Sequence, residues 1–228
     1  MTGGSRIGRR LGLGPPRAYT RTIDILLVCT ANQCRSPMAE GLLRTHLTAA
    51  GIPASVGSAG LLPGGSPATD HAVAVMRARG VDIRHHVSRR LDPRVARLTP
   101  LVVGMARRHV REAVVTYGAA IERTFTLKEL VRRGEKVGPR RPDETVSVWL
   151  ARVGTGRQVS DLIGDDPDDD VADPIGRPRQ EYEATVAELD DLITRFVALL
   201  TGPGGDDGGP PGAGPAARPA RPGRPGRR

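Results

Sequence analysis

Residues 28–40, VCTANQCRSPMAE, hold both cysteines of the 228-residue chain. Cys29 and Arg35 are separated by five residues, and Ser36 and Pro37 follow the arginine. The short apolar run ending at Cys29 has the length of a buried strand, and Pro37 suits the first position of a helix, where it has no N–H to lose. A loop between them gathers backbone N–H groups at a helix N-terminus, and such a cluster is an anion site. The same field favours a sulfur anion on Cys29, the form in which cysteine is a nucleophile. Arg35, returning to the mouth of the loop, is able to donate two parallel hydrogen bonds to phosphate oxygens. The chemistry these residues suit is attack by sulfur on an anionic centre held in a cradle of donors.

Those groups need a scaffold in which a strand ends and a helix begins at one point. Residues 23–28 read as a strand and 37–50 as a helix, followed by a short strand at 54–57 and a helix at 69–79 that Gly80 ends. A further strand is predicted at 101–104 and a helix at 106–117, stopped by Gly118. Over 178–200, Tyr182, Val186, Leu189, Ile193, Phe196, Val197 and Leu200 recur at three- and four-residue steps, the apolar face of a long helix. This alternation implies βαβ units and a parallel sheet covered by helices on both faces, which binds ligands at the carboxyl ends of its strands. Cys29 lies at that place.

The net charge of +9 is concentrated at the ends, with five arginines in residues 1–21 and five in 202–228. The segments read as a basic N-terminal arm and a Gly/Pro/Arg-rich disordered tail, leaving a nearly neutral catalytic domain at 22–201. The tail has no apolar periodicity with which to offset the entropy of ordering. Weak, salt-sensitive contact with nucleic acid or an anionic surface would suit such arms, but the tail has no aromatic residues for base stacking, so a solvated tail is expected. Two cysteines are too few for a disulfide scaffold, residues 1–21 lack an apolar signal core, and no apolar run is long enough to span a bilayer. A cytoplasmic protein without a membrane segment is expected. His46, His71, His85, His86 and His109 fall at no metal-ligand spacing, so no metal or other cofactor is expected. Nothing in the pattern sets an oligomeric state.

With Asn32 at the fourth position of the loop and Cys34 at the sixth, VCTANQCRSPMAE resembles the phosphate loop of the low-molecular-weight protein-tyrosine-phosphatase family, in its bacterial branch. The resemblance continues through GSAG (57–60), ARGVDIRHHVSRRL (78–91), VVGMARRH (102–109) and VADP (171–174), and so covers nearly all of residues 22–200. It implies an α/β, three-layer fold with a four-stranded parallel sheet flanked by helices, acting on a phosphorylated protein or a small phosphate. It further implies that Cys29 attacks phosphorus to form a phosphocysteine intermediate. Arg35 and the loop residues Thr30, Ala31, Asn32, Gln33 and Cys34 would then hold the equatorial oxygens, while Ser36 hydrogen-bonds the departing sulfur. Asn32 would adopt a left-handed backbone conformation supported by Ser58 and His86. Asp173 would serve as general acid toward the leaving atom and then as base toward water. The other Asp-Pro pairs read differently: Asp92 as a helix N-cap, and Asp166 as part of a solvated acidic loop, GDDPDDD. Cys34 matches the family's second cysteine, and is either a reversible disulfide partner of oxidised Cys29 or a small loop filler.

The chain also departs from that family. Ala31 stands where glycine is common, Thr30 and Gln33 replace apolar residues that line the phosphotyrosine pocket of eukaryotic members, and Ile175-Gly176 follow the acid where those members carry tyrosines. Aromatic residues make up 3% of the chain, so the phosphate cradle is complete while the walls for a tyrosine ring are thin. Thr30 and DPIG are similar to the protein-arginine-phosphatase branch, although Gln33 replaces a threonine that branch uses. Residues 132–170 form a longer interval than family members often have. They read as a basic loop, RRGEKVGPRRP, a helix, DETVSVWLARV, with the only tryptophan, and the acidic run; together they would cover the site or extend the scaffold. Two other functions stay open at this level: arsenate reduction with an external thiol, and phosphate-dependent binding without turnover, tethered by the basic arms.

Overall fold

The structure, a computed structural model, describes residues 23–202; the arm expected at 1–21 and the tail beyond Gly202 lie outside the described residues. Strands β1 (Ile23–Cys29), β2 (Ala54–Gly60), β3 (Leu101–Gly104) and β4 (Thr124–Thr126) form one sheet in the order β2-β1-β3-β4, with every pairing parallel. All of β1 except Asp24 is buried. Its pleat sends Ile25, Leu27 and Cys29 into the larger core on one face and Leu26 and Val28 into the smaller core on the other. A strand covered on both faces is a continuous apolar run, as ILLVC is.

Helices α1 (Arg35–Ala49), α2 (Asp70–Arg77), α5 (Leu127–Val137), α6 (Val146–Gly154) and α7 (Arg179–Thr201) contribute to the larger core, α3 (Pro93–Leu98) and α4 (Arg107–Val115) to the smaller. The predicted strands and helices appear with ends shifted by a few residues. Asp92 caps α3 as expected, accepting the Arg94 and Val95 N–H groups at 2.6 and 3.3 Å. Among the described residues, no helix is long and apolar enough to cross a membrane.

Two expectations about the second half need correction, and the fourth strand carried no local signal. β4 has three residues, too few for periodicity to mark. The basic segment expected as a loop from Arg132 is helical as far as Val137. Thr126 caps α5 by accepting the Glu129 N–H at 3.0 Å, and Leu127, Leu130, Val131 and Gly134 are buried. Arg132, Glu135 and Lys136 are the exposed face of that amphipathic helix, which ends at Gly138, where φ is 83°. The helix α6 packs on α5 and so extends the scaffold. Trp149 is fully buried beside Phe196, with ring centroids 6.4 Å apart, and its indole N–H donates to the Gly138 carbonyl at 3.1 Å.

GDDPDDD is a solvated loop only in part: Gly164, Asp165, Pro167 and Asp168 are exposed, while Asp169 is buried. Asp169 is 4% exposed, and its carboxylate accepts from Arg107 Nε and Arg132 Nη1, each at 2.7 Å. Arg107 Nη2 also meets Asp166 at 2.7 Å, and Asp170 accepts the Arg107 backbone N–H at 2.7 Å, at the start of α4. The chain thus enters residues 171–174 from a point tied to α4 and α5, and the Val171 N–H then donates to the Met105 carbonyl at 2.9 Å.

Burial works against the Asp169 carboxylate, but Arg132 and Arg107 overcome it and hold the carboxyl below the usual aspartate range. Asp169→Asn should therefore lower unfolding stability by about 1–3 kcal/mol at neutral pH, the range for hydrogen bonds to charged groups. A depressed carboxyl contributes its full stability above its unfolded pKa and loses it as pH falls through the folded one. Denaturant titrations should show the gap between wild type and variant constant above about pH 5 and closing in more acidic solution.

Candidate active site

The carboxyl end of β1 delivers Cys29 to the sheet edge, and α1 begins six residues later at Arg35. Residues 30–34 must therefore reverse the chain around the helix N-terminus. They do so through Asn32, whose φ of 54° makes it the one non-glycine among the described residues with a left-handed backbone. Such a conformation costs a non-glycine residue about 1–3 kcal/mol unless its surroundings enforce it.

The surroundings here are dense. Asn32 is fully buried; its Nδ2 donates to Ser36 Oγ at 2.9 Å and to Ser58 Oγ at 2.8 Å, and its Oδ1 accepts the Arg89 N–H at 3.0 Å. His86 Nε2 donates to the Asn32 carbonyl at 2.7 Å, so Ser58 and His86, the two residues that the resemblance set beside Asn32, both contact it. Ser58 in turn donates to Glu40 at 2.5 Å. The end of β2 comes close because residue 60 is glycine: a Cβ there would lie 2.9 Å from the backbone of Thr30, Ala31 and Asn32. The Leu61 and Leu62 N–H groups hold the Thr30 carbonyl at 2.8 and 3.0 Å, and Thr69 N–H holds that of Gln33 at 2.9 Å.

Inside this turn lies the sulfur of Cys29. Ser36 Oγ is 3.0 Å away, and the Asn32 N–H donates to Sγ at 3.3 Å. Ser36 Oγ accepts from Asn32 and keeps its own proton to give to the sulfur when that carries negative charge. Cys29 and Cys34 are both free and buried. Burial, then the charges of Asp173 and Cys29, push the Cys34 thiol far above its ordinary range, so Cys34 retains its proton.

Arg35 is 2% exposed, its Nη1 donating to the Val171 carbonyl at 3.0 Å and its Nη2 to the Asp173 carboxylate. Asp173 Oδ1 also accepts the Ile175 N–H at 3.2 Å, and Arg108 Nη2 stands 3.7 Å from Oδ2. Asp166 points instead to Arg107, and Asp92 caps α3. Thr30, Ala31 and Gln33 are half-buried around the loop. The arrangement brings the Cys29 sulfur, the Ser36 hydroxyl, the Asn32 N–H, the Arg35 guanidinium and the Asp173 carboxylate together at one loop, groups of the kind that phosphoryl transfer uses.

Several contributors were not singled out from the sequence. Glu40 and Arg89 support the loop from behind; both lie in stretches that carry the resemblance, VCTANQCRSPMAE and ARGVDIRHHVSRRL, yet neither was given a role there. His109 lies fully buried against Thr30, and the segment VVGMARRH offered only its resemblance as a signal. Among the described residues, no group of three or more His, Cys, Asp or Glu side chains is placed to hold a metal ion.

Comparison with known proteins agrees with this geometry. Residues 24–139 match the family model described as low molecular weight phosphotyrosine protein phosphatase. The protein-arginine-phosphatase of Bacillus subtilis (strain 168) is 37% identical over 180 residues, covering 78% of this chain and 97% of the relative. The crystal structure of a low molecular weight protein tyrosine phosphatase from T. tengcongensis superposes with a TM-score of 0.60 at 31% identity, over 78% of this chain and all of that one. A YwlE arginine phosphatase mutant with a phosphorylated active-site serine gives a TM-score of 0.60 at 29% identity, over 78% of this chain and 96% of that one. Matched along its sequence and across its fold, the chain belongs to the low molecular weight phosphotyrosine protein phosphatase family.

Proposed function

We propose that this chain is a cysteine-dependent phosphatase of phosphorylated protein side chains, with phosphoarginine as its preferred substrate. The observation that carries the phosphatase reading is the position of Cys29 Sγ, held by Ser36 and the Asn32 N–H at the base of a loop that Arg35 and Asp173 close. The sulfur attacks phosphorus, the bond to the leaving nitrogen or oxygen breaks, and Asp173 gives that atom a proton. Water then attacks the phosphocysteine, loses a proton to Asp173, and the sulfur leaves with its electron pair, met by the Ser36 hydroxyl. Arg35 and the loop N–H groups stabilise the equatorial oxygens throughout; such donors are each worth about 10²–10³ in rate. The relative with a phosphorylated serine at its active site supports an intermediate carried on the loop nucleophile.

Preference for phosphoarginine is supported by the relative that matches over most of both chains, and by the walls of the site. Thr30 and Gln33 border the loop with polar groups, and Ile175 and Gly176 follow the acid without an aromatic ring. Gln33 supplies an amide in place of the threonine used by the arginine-phosphatase branch, and amides also pair with N–H donors. The same long match favours hydrolysis over arsenate reduction or binding alone. Phosphorylated proteins are accordingly the proposed partners; a role for the basic arms in holding anionic surfaces belongs to residues outside those described.

Two measurements bear on this directly. Under reducing conditions, wild type should hydrolyse a phosphoarginine peptide with higher kcat/KM than a phosphotyrosine peptide, and Cys29→Ser should abolish both activities; residual turnover in that variant would remove Cys29 from the mechanism. Asp173→Ala should retain phosphate binding while slowing kcat by about 10²–10⁴-fold where the leaving atom needs a proton, and by less for 4-nitrophenyl phosphate. An equal rate for wild type and variant on the poor leaving group would assign the acid elsewhere.

A further inference from the structure

Thr30 makes a contact that phosphate binding does not require. Its Oγ1 lies 3.0 Å from Nε2 of His109, in the first turn of α4. The histidine is fully buried and fits against the sheet because residue 104 is glycine: a Cβ there would come within 3.1 Å of the His109 Cβ and 2.8 Å of Val110 Cγ2. Among the described residues, His109 Nδ1 is the buried side-chain atom without a hydrogen-bond partner. Burial, then the charges of Arg35 and Arg108, push the imidazole down to about 2. The ring is therefore neutral near pH 7, with one proton for two nitrogens.

Two donors converge on Nε2, the Thr30 hydroxyl and, from 3.5 Å, Arg108 Nε. With the ring proton on Nδ1, Nε2 accepts from both, whereas an N–H at Nε2 would face the Arg108 donor. A buried N–H without a partner is a penalty that folding alone gives no reason to carry. Its return lies at the other end of the contact, in the direction it imposes on Thr30.

We infer that His109 is a positioning residue: by accepting the Thr30 hydroxyl proton at Nε2, it turns the Thr30 lone pairs toward the loop mouth, as an acceptor for the N–H groups of a guanidino leaving group. A phenolic leaving group offers no N–H to this acceptor, whereas a guanidino group offers several. The contact therefore selects between two classes of leaving group at one phosphate cradle, and the inference rests on the phosphoarginine reading above.

The test is the ratio of kcat/KM for a phosphoarginine peptide to that for 4-nitrophenyl phosphate, measured for wild type, Thr30→Val, His109→Leu, the double variant and His109→Gln. Each of the first two single variants should lower the ratio about tenfold, the scale of one hydrogen bond. The double variant should fall no further than either, and His109→Gln, whose amide oxygen is able to accept from Thr30, should recover most of the loss. Equal losses on both substrates, or losses that multiply in the double variant, would overturn the inference and leave His109 a packing residue. Should His109→Leu fail to fold, Thr30→Val still reads the acceptor, and nitrogen NMR of the wild-type ring still reads the proton: a protonated Nε2 overturns the inference. Wild type that cleaves the aryl phosphate but not phosphoarginine defeats the substrate reading itself, and this inference with it. Wild type that cleaves both, with an unaltered ratio in Thr30→Val, defeats this inference alone.

Discussion

The left-handed turn at Asn32 is the constraint on which the rest of the site depends. A loop that aims its N–H groups at one point must reverse its curvature once, and here the reversal is made by a fully buried residue with a side chain. Asparagine tolerates this conformation better than most residues because its short amide can bond locally. The amide reaches Ser36 in α1 and Ser58 in β2, while Arg89 and His86 hold it from the segment that follows α2. One residue therefore draws three parts of the chain to the nucleophile, and its bond to Ser36 leaves the Ser36 proton free for the sulfur.

A second level of organisation comes from arginine. Arg107 and Arg132 grip the segment that carries the acid, Arg157 pairs with Glu129 while lying 4.2 Å over the Phe125 ring, and Arg152 pairs with Glu144. The carboxylates of these pairs are buried, so desolvation offsets part of the attraction, while Arg107, Arg132 and Arg152 remain partly exposed. Their effect is to fix where residues 171–173 cross the mouth of the loop. Arg35 and Arg108 are the two cations left beside Asp173.

Two features separate attack from selection. The paired cysteines differ in environment, and burial keeps Cys34 protonated. The phosphate cradle is built from backbone and Arg35 and does not depend on what phosphorus is attached to. Under the proposed function, discrimination falls to the rim, to Thr30, Gln33 and the residues after Asp173.

Much of this was legible in the sequence because it is local. The run ILLVC, the five-residue spacing to Arg35 and the proline at 37 describe a strand, a loop and a helix start whose geometry depends on near neighbours, and the apolar steps of α7 are equally self-contained. Resemblance to a family added Asp173, Ser58 and His86. The charged half of α5 was misread because outward-facing charges look alike on a helix and in a loop, and the acidic run because its partners lie in other elements. The sequence by itself determined a cysteine at the end of a buried strand, an arginine six positions on at a helix start, and a parallel α/β class, since these follow from periodicity and backbone chemistry within a few residues. Only the tertiary structure decided that Asp169 anchors the acid segment and that His109 meets Thr30, 79 residues away, because those distances are set by the packing of α4 and α5 against the sheet and not by any local pattern.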